Sequence, residues 1–314
     1  MRKTISILLT AVMIFGVCLM NSCSDDRTNS DGKPQVLATN FAMYDIARGI
    51  AGDTAEVSML LPPETEAHEY ELTLSDAGKI DVADLFVCVG GESEDWVFDL
   101  MDSMREEERP RTVYAIDAAQ TADEALVSAI EREEGGEETE PDEHVWTSFE
   151  NIRRIADAVA ENLSLVLPDK ADVIAGNLAA YKAEADRLEA EYRERLANRA
   201  RNTIVVADRF PFLYLTEEFG LEHIAAFTGC SSNVEASLAT ISALISEVRR
   251  VGAPAVFVIE FSDQKCAEAV AKETGCKIMT LNSAHNVSKE QFQNGVTLFE
   301  LMLENLDALE AALS

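Results

Sequence analysis

From Asp169 to Arg201 the chain carries no proline and a single glycine, Gly176, and this stretch constrains the fold more than any other. Leu178, Tyr181, Ala185, Leu188, Tyr192 and Leu196 fall on one stripe at helical spacing, with Glu, Arg and Lys interleaved on the other faces. Pro168 stands where a proline can open a helix. A helix of about 45 Å, at 1.5 Å per residue, is a strut and not a flexible linker; a helix packed on one domain only is the alternative reading. On each side of it, short β-rich runs alternate with helical periods. Runs at 35–40, 54–60, 84–89 and 112–117 precede the strut, and runs at 203–207, 222–227, 254–259 and 276–281 follow it. Helical patterns cover 41–51 and 93–107 in the first block, and 235–251, 263–274 and 288–312 in the second. Strands joined by helices imply parallel sheets with helices on their faces. The expectation is an α/β protein of two lobes, each a parallel four-stranded sheet flanked by helices, joined by one long rigid helix.

The 314 residues are 47% hydrophobic, enough to bury a core in each lobe. At the start, Arg2 and Lys3 precede the apolar run Thr4–Met20, which reads as an export signal. The following Leu19-Met20-Asn21-Ser22-Cys23 looks like a bacterial lipobox with Cys23 as the lipidated residue. The chain therefore divides into a signal peptide (1–23), a flexible tether (24–34), an N-terminal lobe (35–167), the connecting helix (168–201) and a C-terminal lobe (202–314). Since no later segment approaches membrane-spanning length, the membrane is reached through the lipid anchor alone, in the cell envelope outside the cytoplasm. Cys88, inside an apolar run, reads as a buried small hydrophobe. The helix expected at 263–274 holds Cys266 and Cys276 about 12–15 Å apart, so Cys230 with Cys266 is the better pairing. None of these cysteines has the CxxC spacing of a structural zinc site.

Charge excludes one class of partner. With 57 Asp+Glu against 26 Lys+Arg, the formal net charge of −31 repels nucleic acid. The acidity is concentrated in Glu131–Glu143, a stretch without apolar residues that reads as a mobile loop and ends on His144-Val145-Trp146. There are four histidines. His68 follows the second strand, His144 the fourth and His285 the eighth, whereas His223 lies within a strand. The first three sit at carboxyl ends of parallel strands, where open α/β sheets bind ligands. Asp208 and Glu260 also follow strands, and either could cap a helix instead. If the two edges face each other, imidazoles from both lobes meet in a nitrogen and oxygen site for a divalent transition metal. Imidazole favours zinc, and carboxylate shifts the preference toward manganese.

Several stretches carry a specific resemblance: PPETEAHEYELTLSDAGKIDVADLFVCVGG, DEHVWTSFENIRRIADAVAENL after the acidic loop, the strut, and GVTLFELMLENLDALEAAL. Over essentially the whole mature chain, the sequence resembles the metal-binding lipoproteins of bacterial ABC importers for zinc and manganese, the cluster A-I substrate-binding proteins. The resemblance implies two α/β lobes on a rigid helix with metal in the cleft, and it makes His68 and His144 the ligands of the first lobe. In the second lobe the family places His or Glu before an Asp-Ala-Phe-like segment, where VVADRFPFLYL has Ala207. His285 is then the expected ligand, with Asp208 or Glu260 as replacements for the missing one.

The functional expectation is a solute-binding protein, not an enzyme. It takes up Zn²⁺, with Mn²⁺ the less favoured ion, through His68, His144 and His285, the acidic loop serving as a loose cation collector. A monomer would deliver the ion to the membrane permease and ATPase of an ABC importer. The alternatives are a metal-stabilised surface adhesin of the same fold and a zinc-dependent hydrolase. Against the latter, the chain has neither HExxH nor a nucleophile elbow.

Overall fold

A computed structural model describes residues 32–66, 70–124, 127–131, 141–229 and 235–314. Cys23, His68, Cys230 and most of the acidic loop lie outside these residues. In the first lobe β1 (Gln35–Ala38), α1 (Phe41–Ala51), β2 (Glu56–Met59), α2 (Leu74–Asp81), β3 (Leu85–Cys88), α3 (Asp95–Ser103), β4 (Arg111–Tyr114) and α4 (Ala115–Ala118) succeed one another. Next come α5 (Phe149–Val166) and α6 (Ala171–Leu196), and the second lobe runs β5 (Thr203–Val206), α7 (Leu213–Phe219), β6 (Glu222–Ala225), α8 (Leu238–Val251), β7 (Ala255–Ile259), α9 (Lys265–Thr274) and β8 (Lys277–Leu281). The chain closes with α10 (Lys289–Gln293) and α11 (Leu298–Leu313).

Among the described residues, two four-stranded sheets have the orders β2-β1-β3-β4 and β6-β5-β7-β8, and every strand pair is parallel. The expected fold class is therefore the observed one. The inner strands β3 (LFVC) and β7 (AVFVI) are buried at every residue, as strands covered on both faces must be. In both sheets the chain reverses direction of growth beside the first strand, and such a switch point opens a crevice at the carboxyl ends. Asn40 fixes the start of α1 by accepting a hydrogen bond from the Met43 amide, and Ser148 does the same for α5 through Asn151.

The strut is α6, introduced by a 3-10 turn at Pro168–Lys170. It buries Ile174, Ala185, Leu188, Tyr192 and Leu196. Tyr181 donates to Asp45 of α1 at 3.2 Å, and Tyr192 donates to the Met302 carbonyl of α11. The helix thus packs on both lobes, and one apolar core runs without interruption from Val36 and Phe41 past Leu188 to Phe257 and Leu309. It ends earlier than expected because the Ala200 and Arg201 amides donate to the Leu313 carbonyl at 2.8 and 2.9 Å instead of continuing the helix. The single helix expected over 288–312 is also divided. Gly295 adopts the left-handed φ of 72°, and Thr297 opens α11 afresh with a capping box to Glu300.

Cys88 is buried within β3, as expected, and among the described residues Cys88, Cys266 and Cys276 form no disulfide. The Cys230 half of the expected pairing lies outside the described residues. Among the described residues, no helix is long and apolar enough to cross a membrane.

Candidate metal centre

The carboxyl edges of the two sheets meet through side chains of both lobes. Glu143, His144 and His285 are buried, and their ligand atoms all lie within 4.8 Å of one another. The two imidazoles stand edge to face, ring centres 4.8 Å apart. A tetrahedral zinc ion asks for donors about 3.4 Å apart, so small side-chain rotations would close the set around it.

Each donor is fixed by its neighbours. His144 Nδ1 faces Asp142 Oδ1 at 3.0 Å, and the same oxygen accepts from the His144 amide at 2.9 Å. This turns Nε2 away from Asp142 and toward the cluster, the carboxylate–histidine arrangement common around metals. The segment is held from the second lobe as well, because Tyr214 donates to the Asp142 carbonyl. Trp146 Nε1 donates to the Ser283 carbonyl at 2.8 Å, so the two donor-bearing loops are pinned together. Across the cleft, Glu260 accepts from the Ser283 amide at 2.6 Å and from its hydroxyl at 2.5 Å. With its O–H donated to Glu260, that hydroxyl offers a lone pair to His285 Nδ1, 2.9 Å away. The tautomer so selected leaves the lone pair on Nε2, as metal ligation requires. Ala284, immediately before it, sits at φ 60°, a strained value for a residue with a Cβ.

Two glycines make the close packing feasible. A Cβ on Gly91 would lie 2.2 Å from Glu143 Oε2, and one on Gly229 would lie 2.7 Å from His144 Cε1. Any larger residue at either position would displace a donor.

Electrostatics favour a cation. Burial disfavours the charged ring of His144, but Asp142, Glu143 and Glu124 outweigh it and raise the pKa above the usual histidine value. Glu94, whose Oε2 accepts from the Val89 and Gly90 amides, is pushed up to about 7 by burial, with Glu143 adding to the effect. His223, by contrast, is a strand residue stacked on Phe210 with ring centres 4.0 Å apart. Burial drops its pKa to about 4.

The loop that leads to His68 is tethered across the cleft. Asn286 Nδ2 donates to the Pro62 and Thr65 carbonyls, each at 2.8 Å, and the Glu64 amide donates to Val287 O at 3.0 Å. His68 itself lies outside the described residues. Of the sequence candidates, His144 and His285 come together. Asp208 and Glu260 do not join them. Asp208 accepts from the Arg209 and Ile259 amides, and burial raises its pKa; Glu260 is spent on Ser283. Neither caps a helix, since α7 and α9 begin at Leu213 and Lys265 without a side-chain cap. Glu143, which the sequence groups with the acidic loop, stands in the cluster. Its adjacency to His144 was the available signal. Arg209, which carries no motif in the sequence, is buried in the cleft beside Glu260 and His285.

The chain is similar to known zinc-binding proteins. The zinc-binding lipoprotein AdcA of Streptococcus pneumoniae serotype 4 is 30% identical over 315 residues, covering 98% of this chain and 60% of its own length. The high-affinity zinc uptake system protein ZnuA of Bacillus subtilis is 27% identical over 312 residues, covering 98% of this chain and 96% of the relative. The chain thus spans about three fifths of the streptococcal relatives that it matches. The crystal structure of the Zn(II)-bound ZnuA-like domain of S. pneumoniae AdcA superposes with a TM-score of 0.75 at 28% identity, covering 90% of this chain and 99% of that one. The family model described as ZnuA, zinc-uptake complex component A periplasmic, matches residues 36–312, and the chain belongs to that family.

Proposed function

We propose that this protein captures a zinc ion, with manganese the weaker competitor, in the cleft between its lobes, and hands it to the membrane permease of an ABC importer driven by a cytoplasmic ATPase. The observation that carries the reading is the buried cluster of Glu143, His144 and His285, contributed by both lobes and set with their ligand atoms within 4.8 Å. Two neutral imidazoles beside a carboxylate suit zinc. His68 supplies a further imidazole in this reading, because the segment up to Glu66 is already tied to the second lobe by Asn286. Lipidation of Cys23 would keep the protein at the outer face of the membrane, where the permease is reached. No catalytic step belongs to this reading.

Calorimetric titration of the mature, metal-stripped protein with Zn²⁺ and Mn²⁺ tests it, repeated on His68→Ala, His144→Ala and His285→Ala. One tight zinc site is expected, weakened in each variant by more than the 10–100-fold loss typical when an outer partner of a ligand is removed. Weak binding at several sites, indifferent to these histidines, would mean that surface carboxylates gather cations without a centre.

A further inference from the structure

A permanent cation is buried in the cleft that gathers cations. Arg209, just after β5, is 5% exposed and lines one cavity with Glu66, Gly229, Glu260 and His285. Its Nη2 stands 2.9 Å from Glu66 Oε2, and its Nε is buried without a hydrogen-bond partner among the described residues. A buried donor left unsatisfied costs stability, so the placement is not explained by folding alone. What the guanidinium does hold is the carboxylate two residues before His68 in the sequence. The other acids of this edge are engaged too: Asp208 by the Arg209 and Ile259 amides, Glu260 by Ser283.

We propose that Arg209 is a specificity-determining residue, which claims Glu66 and so withholds a hard oxygen donor from the bound ion. The ion then meets imidazoles and one carboxylate, Glu143. Manganese prefers oxygen ligands, whereas zinc is well served by imidazole, so removing an oxygen donor widens the gap between the two. Arg209 also carries a positive charge into the cavity, which draws a carboxylate to itself in competition with the ion. The inference rests on the metal-capture reading and names what decides the choice of metal.

The test is a competition titration with ZnCl₂ and MnCl₂ on the metal-stripped mature chain and on Arg209→Gln, Glu66→Gln and the double variant. Arg209→Gln should free Glu66 and tighten Mn²⁺ at least about tenfold relative to Zn²⁺, a change of the size that partners of metal ligands produce. Glu66→Gln alone should bring no such gain, and the double variant should lose it. Arg209→Met, which keeps the packing of the side-chain stem, replaces Arg209→Gln if the latter does not melt cooperatively. A Zn²⁺ to Mn²⁺ ratio within about twofold of wild type in the Arg209 variants, or a gain that persists in the double variant, overturns the role of Arg209. A wild-type chain with no tight site overturns this inference and the capture reading together, whereas a tight zinc site with an unchanged ratio overturns this inference alone.

Discussion

The two lobes share one strand order, yet the edges they turn to the cleft are built differently. On the first lobe, Asp142 orients His144, Ser93 donates to Glu143 at 3.1 Å, and both side chains converge on the cluster. On the second lobe one imidazole, His285, reaches the cluster, while Asp208 and Glu260 spend their oxygens on backbone amides and Ser283. Arg209 stands among them and pairs with an acid of the first lobe. Identical topology brings acids to both edges. What separates them is place: the Glu143 carboxylate lies within 4.8 Å of both imidazole donors, whereas Asp208 and Glu260 are held by backbone amides and Ser283.

Glu143→Gln against Asp208→Asn breaks that comparison most directly. Loss of a ligand should weaken zinc about 100-fold or more, whereas loss of a structural carboxylate should change it less than about threefold. Titration of both variants decides, and equal losses would mean that the asymmetry between the edges is not functional.

Gly229→Ala sharpens it next. The added methyl would stand 2.7 Å from His144 Cε1, so the ring must move. We expect about 1–3 kcal/mol of overpacking, seen as a fall in melting temperature of about 2–4 °C per kcal/mol, together with weaker zinc binding. A variant that melts and binds as the parent does would show that His144 is not held where the cleft needs it.

The smallest effect is the pH dependence. In the metal-free protein burial works against charging His144, but its acidic neighbours prevail and raise its pKa. A raised folded-state value stabilises the metal-free protein at low pH, and this contribution is lost as pH rises through that value. Zinc needs the neutral ring, so stabilisation by the ion runs the other way. The rise in melting temperature on adding saturating zinc should therefore be greater at about pH 8 than at about pH 6. A shift that shrinks toward the higher pH would place the ion away from His144.

How much of this was legible in the sequence depends on whether the signal is local. Strand and helix periods, the run from Pro168 without breakers, and the histidines that follow strands are properties of neighbouring residues. From them come the two parallel sheets, the strut across both lobes and the meeting of His144 with His285. Where a helix is interrupted was less legible, because Gly295 and the capping pair Thr297–Glu300 compete with an apolar period that continues through them. Which acids join the site was legible only in the adjacency of Glu143 to His144. Apart from that adjacency, Glu143 and Asp208 are both acids beyond strand ends, and nothing local says which of them reaches the imidazoles. Only the tertiary structure decided that Gly91 makes room for Glu143 and that Asp208 is bound by amides from separate parts of the chain. It alone paired Arg209 with Glu66 across the lobes. Periodicity fixes which face of an element is buried; the partners of a buried polar atom come from segments far away in sequence, and they set what that atom can still bind.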